Sequence, residues 1–154
     1  MSTINKFEDL KCWQAALAAD KKLFELCKSE PIFRDKALRY QILAASGSVM
    51  DNIAEGFSRG GNKEFVNFLV IANGSDGEVR SQLLRMLNRG HIDKIVFDEF
   101  YHLCNDISKM IFALINYLKA SEYKGLRYKK NDGDNKVEEP LAEYESTPNI
   151  PDEF

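Results

Sequence analysis

Glu99 and His102 are spaced Glu-x-x-His, the i, i+3 pair that sets a carboxylate and an imidazole on one helix face for a di-iron site, and Glu55 and Glu78 could supply carboxylates from two other helices. That chemistry needs a second Glu-x-x-His. The other histidine, His91, has Asn88 three residues before it, and Glu99 and His102 point away from the apolar stripe of their own helix. Ligand count and facing both fail. Cys12, Cys27 and Cys104 are odd in number, lie far apart and sit in or beside apolar stripes, which reads as reduced core thiols rather than a disulfide or zinc framework. No nucleophile with its base, no phosphate loop and no zinc spacing is present in the sequence. The expectation is a protein that is not an enzyme and holds neither metal nor cofactor.

The elements that carry these residues follow from composition and period. A chain of 154 residues, 44% hydrophobic with 10 Phe and 6 Tyr, can bury one core. No apolar run reaches signal-peptide or membrane-span length, so a cytoplasmic protein is expected. The charge is uneven. Residues 1–130 carry 20 Lys and Arg against 16 Asp and Glu, whereas residues 131–154 carry Lys136 against eight acids. Residues 1–130 are read as the folded unit. Residues 131–154, with three prolines and no helical period, are read as an acidic, disordered extension whose large apolar handles are Val137, Leu141, Tyr144, Ile150 and Phe154.

At 100° per residue, Leu10, Trp13, Leu17 and Phe24 form one stripe between Phe7 and Lys28, closed by "SEPIF". Leu38, Ile42, Ala45, Val49, Ile53 and Gly56 form the next, between Arg34 and Phe57. "SRGGN" then reads as a turn, with Gly61 and Glu64 marking a helix start. Val96, Phe97, Phe100, Leu103, Ile107, Ile111, Leu114 and Leu118 run from Asp93 to about Tyr123. "NGSDG", Asn73 to Gly77, has turn composition, yet Phe65, Phe68, Leu69 and Ala72 before it and Val79, Leu83, Met86 and Leu87 after it keep one phase. A loop would scramble that register. The segment is therefore predicted to be helical, with Gly90 as its C-terminal stop. Four long helices on short connections predict an all-α, antiparallel up-down-up-down four-helix bundle.

Gly74 and Gly77 then fall opposite the core stripe, beside Val66, Val70, Ser81 and Leu84. The second helix likewise shows Tyr40, Leu43, Ala44, Gly47, Met50 and Ala54 on its outer face, where a monomeric bundle carries charge. A helix apolar or small on both sides is buried on both sides, so these residues are the candidate interface of a homo-oligomer; a ligand groove is the other occupant of such a surface.

"FEDLKCWQAA", "DNIAEGFSRGGNKEFVNFLVIANGSDGEVRSQL" and "RGHID", in this order, resemble the four-helix-bundle family encoded in intervening sequences of bacterial 23S rRNA genes. The resemblance covers nearly all of residues 6–120. It rests on Asp9, Leu10, Trp13 and Ala16; on Asn52, Ile53, Ala54, Glu55, Gly56 and Arg59; and on Phe65, Phe68, Leu69, Ala72, Gly74, Ser75, Glu78 and Gln82. It implies an antiparallel bundle assembled as a homopentamer, related to accessory proteins of diversity-generating retroelements that bind nucleic acid and a reverse transcriptase; it brings no catalytic residues. Two positions depart from the family pattern. Its usual helix-2 arginines are replaced by "YQILAAS", with Arg39 the cation left close by, and its usual Leu after the Gly-Ser pair is Asp76, on the core-facing side. An unpaired carboxylate there is too costly, so Asp76 is expected to meet a hydroxyl such as Ser75, Ser46 or Ser48, or a cation. Glu55 and Glu78, at the stripe borders, are expected in a helix-helix ion pair or an interface hydrogen bond.

The partner classes are thus RNA or DNA, a nucleic-acid enzyme, or another protein on a structural oligomer. Nucleic acid requires a cationic surface, for which Lys21, Lys22, Lys28, Lys63, Arg80, Arg85, Arg89, Lys124, Arg127, Lys129 and Lys130 are the candidates. A protein-binding oligomer would show those cations scattered or paired.

Overall fold

The computed structural model describes residues 4–120. The acidic segment and the cations Lys124, Arg127, Lys129 and Lys130 lie outside the described residues. Within them a short 3-10 turn, Phe7–Asp9, precedes four α-helices: α1 Lys11–Leu26, α2 Lys36–Arg59, α3 Asn62–Asn88 and α4 Lys94–Ala120. The protein is all-α over this range, a four-helix bundle in which α1 packs on α2, α2 on α3, α3 on α4 and α4 back on α1.

Two of the helices begin on a side-chain cap, and two end on a left-handed glycine. Asp35 caps α2 by accepting the Leu38 N–H at 3.3 Å, and Asp93 caps α4 by accepting the Val96 N–H at 2.8 Å. Gly60 closes α2 at φ 79°, a left-handed conformation that a residue with a Cβ rarely adopts. At the end of α3, Gly90 takes φ 69°, and the N–H groups of Gly90 and His91 return to the carbonyls of Leu87 and Met86, the two bonds of a Schellman motif. The stop assigned to Gly90 is therefore present, and "NGSDG" is helical throughout.

The stripe of α2 is buried as expected, from Leu38 to Gly56. That of α1 is not. Its buried residues are Cys12, Ala16 and Leu23, while Trp13 and Leu17 sit at the border and Phe24 is half exposed. Leu10, just ahead of α1, and Leu23 are buried, but between them the inward residues are the small Cys12 and Ala16, so counting only large apolar residues rotated the face. Trp13 instead meets Phe7 edge-on, with ring centroids 5.2 Å apart.

The core has two halves. One joins Cys12 and Ala16 of α1 to Val49, Ile53, Phe65, Leu69, Ile111 and Leu114; the other joins Leu23 and Cys27 to Leu38, Ile42, Leu83, Met86, Phe97 and Phe100. Where they meet lies a cavity of about 20 Å³ lined by residues of both, with Asp76, Ser46 and Cys104 as its polar wall. Asp76 is 2% exposed. It accepts from Ser108 Oγ at 2.9 Å and lies 3.4 Å from Arg80 Nε. A hydroxyl and a cation do hold it, but the hydroxyl comes from α4, not from Ser75, Ser46 or Ser48. Burial raises the Asp76 carboxyl above its ordinary range, with Ser108 and Arg80 acting against that rise. All three cysteines are buried and none forms a disulfide; burial pushes the Cys27 thiol up to about 11 and, with Asp76 beside it, carries Cys104 higher still.

Candidate interaction surface

The outer faces of α2 and α3 carry apolar and small side chains that the other described residues leave exposed. Tyr40 is 75%, Val70 56% and Leu84 45% exposed. A Cβ built on Gly47 or Gly74 would meet nothing within 4 Å, and one on Gly77 only the Arg80 guanidinium at 3.8 Å. Gly56 is the contrast. There a Cβ would stand 2.6 Å from Phe68 Cβ and 2.8 Å from the Phe65 ring, so this glycine is required by the packing of α2 on α3. Nothing within the described residues requires Gly47 or Gly74, each of which costs a helix roughly 1 kcal/mol against alanine. Leu43, Met50 and Val66, expected on these outer faces, are part-buried and pack against the bundle's own core, whereas Ala54 is part-buried and Ala44 and Ser81 are exposed.

Between the two helices runs a polar seam. Ser48 and Ser75 share a hydrogen bond at 2.9 Å, Asn52 Nδ2 donates to the Ser48 carbonyl at 2.7 Å, and Arg85 donates to Gln41 at 2.9 Å. Gln82 is buried with no partner for Oε1 among the described residues. Arg59 donates to Glu55 one turn back and to Glu64 on α3 at 2.8 Å, and lies over the Phe68 ring at 4.9 Å. Glu55 thus pairs within its own helix, and the helix-helix ion pair is Arg59 with Glu64; Glu78 is exposed and has no ion pair among the described residues.

The candidate cations divide into held and unheld. Lys22 pairs with Glu99 at 2.9 Å, Arg80 with Asp76, Arg89 with Asp35, and Lys28 with Glu25 at 2.6 Å. Among the described residues Lys21, Lys63 and Arg85 have no ion pair with an acid. The Glu-x-x-His pair is also divided: Glu99 faces Lys22 of α1 and His102 is exposed. No cluster of three or more metal-ligating side chains occurs among the described residues. None of their helices is long and apolar enough to cross a membrane.

With this arrangement in place, comparison with protein families gives a match to the 23S rRNA-intervening sequence protein over residues 8–113. The chain belongs to that family. No curated protein matches it. The matched span of this 23S rRNA-intervening sequence protein takes in both outer faces, the polar seam and the Gly56 contact.

Sequence reasoning missed one junction in this family member. Asp35 Oδ2 meets both Arg89 and His91 Nε2, the latter at 2.9 Å, tying the start of α2 to the end of α3. These bonds, His91 first, hold the Asp35 carboxyl down at about 2. An aspartate three residues before Leu38 was a readable cap signal; its partners, more than fifty residues away, were not.

Proposed function

We propose that this protein is a non-enzymatic, cytoplasmic homo-oligomer, a pentamer by its family resemblance, assembled through the outer faces of α2 and α3. In this reading its helices run up-down-up-down. The cyclic packing of α1 to α4 and the two core halves, each joining the start of one helix to the end of the next, support that topology. The observation that carries the assembly is the pair of glycines, Gly47 and Gly74, on an apolar face with open space beside them. Small residues there let a second backbone approach, which offsets their poor helix propensity.

The function proposed for the assembly is that of an RNA- or DNA-binding accessory factor that serves a nucleic-acid enzyme. Lys21, Lys63 and Arg85, repeated by symmetry, would present phosphate-binding charge. The second reading is a structural oligomer that binds another protein, and the ion pairs that occupy Lys22, Arg80 and Arg89 favour it. Titration of labelled single-stranded and duplex nucleic acid at about 50 mM salt, where phosphate contacts are strongest, separates the two. Salt-sensitive binding supports the accessory factor. Failure to bind either form overturns it and leaves the protein-binding scaffold.

A further inference from the structure

Phe24 and Phe33 are each 50% exposed, on the last turns of α1 and in the connection to α2. Each ring has a cation against it: Lys28 Nζ lies 4.6 Å from the Phe24 centroid and Arg39 Cζ 4.5 Å from that of Phe33. Leu23, Cys27, Ile32 and Leu38 pack in one half of the core, which brings the two ring-cation pairs to one end of the bundle. Lys28 and Arg34 are paired with Glu25 and Glu30, and Asp35 with Arg89, and Asp35 also meets His91 Nε2. Lys36 and Arg39 have no acid within ion-pair distance among the described residues.

An apolar peptide segment needs a continuous apolar strip, and the exposed Lys28, Ser29 and Glu30 stand between these rings along the chain. Half-exposed rings, each with a cation over it, beside Lys36 and Arg39, which have no acid within ion-pair distance among the described residues, fit a different occupant, a chain of flat bases linked by phosphates. We propose that this end of the bundle binds single-stranded nucleic acid, with bases stacked on Phe24 and Phe33 and phosphates against Lys36 and Arg39. The site rests on the nucleic-acid reading above and adds to it a preference for unpaired strands, since bases inside a duplex cannot reach a ring.

The test is fluorescence anisotropy with a labelled RNA oligonucleotide, its DNA counterpart and the matching duplex, using full-length protein and variants whose helicity is checked by circular dichroism. Phe24→Ala and Phe33→Ala are each expected to weaken single-strand binding by roughly fivefold or more, the low end of a stacking contribution, and to leave duplex binding unchanged. Phe33→Trp should retain affinity and show quenched emission as the strand is added; RNA against DNA tells which sugar the site takes. Wild-type single-strand affinity in a folded Phe24→Ala, Phe33→Ala double variant overturns this site while leaving the nucleic-acid reading in place. Absence of all binding by the wild type overturns both.

Discussion

The hydroxyl of Ser108 on α4 donates to the carboxylate of Asp76 on α3 at 2.9 Å, within the layer where the two halves of the core meet. The same oxygen lies 2.8 Å from the Asn73 side-chain amide, so Ser108 bridges two residues three apart on one face of the glycine-bearing helix. A carboxylate in this position costs more to ionise in the folded protein than in water. Because its folded pKa is raised, its favourable contribution is fully present below the unfolded value and is lost as pH rises through the folded value.

Asp76→Asn, which keeps the shape and an acceptor for Ser108, is therefore expected to stabilise the fold at pH 7 by about 1 kcal/mol, with Arg80 turning its part-exposed guanidinium to water. The gain should vanish as pH falls toward about 4, near the ordinary carboxylate range. Urea unfolding at the two pH values measures it, and a variant less stable than wild type at pH 7 contradicts the account.

Asp35 has the opposite sign. Its pKa is lowered from 3.8 to about 2, so its contribution is present above 3.8 and lost as pH falls through about 2. Asp35→Ala removes the cap of α2 and both bonds to the end of α3, and should lower Tm by a few degrees at pH 7. Melting curves recorded from neutral to acid pH should show the wild type and the variant converging at the acid end. A constant difference across the range would show that the carboxylate's charge plays no part.

Two glycine substitutions should act in opposite directions. Gly56→Ala places a methyl against Phe65 and Phe68 and is expected to destabilise by roughly 1–3 kcal/mol, the usual cost of overpacking. Gly47→Ala meets nothing inside one chain, so the isolated chain should gain up to about 1 kcal/mol of helix stability, while the added methyl intrudes on the proposed contact between copies and weakens assembly. Denaturant midpoints for the pair decide whether the close approach lies inside one chain at Gly56 and outside it at Gly47.

The helices were legible because long stripes such as Leu38 to Gly56 repeat over many turns, and a stretch with turn composition could not interrupt the phase that runs from Phe65 to Met86. Phase could not set the rotation of α1, where the inward residues are Cys12 and Ala16 and a large ring, Phe24, is left outside under Lys28. Nor could it pair Asp76 with Ser108 or Asp35 with His91, since such contacts depend on how distant helices align. On the outer surface, types and spacing disclosed Tyr40, Gly47, Gly74 and Leu84 as unpartnered. Which cations were already held by acids required coordinates.

The central claim is that α2 and α3 are covered by further copies of the same chain. Native mass spectrometry of the full-length protein, beside its Gly74→Leu variant, tests this most directly. The wild type is expected at a multiple of the 17.6 kDa chain mass, five by the family resemblance, and the variant at smaller species with its helical content retained. A wild-type protein that stays at 17.6 kDa at micromolar concentration, with Gly74→Leu indistinguishable from it, would contradict the account.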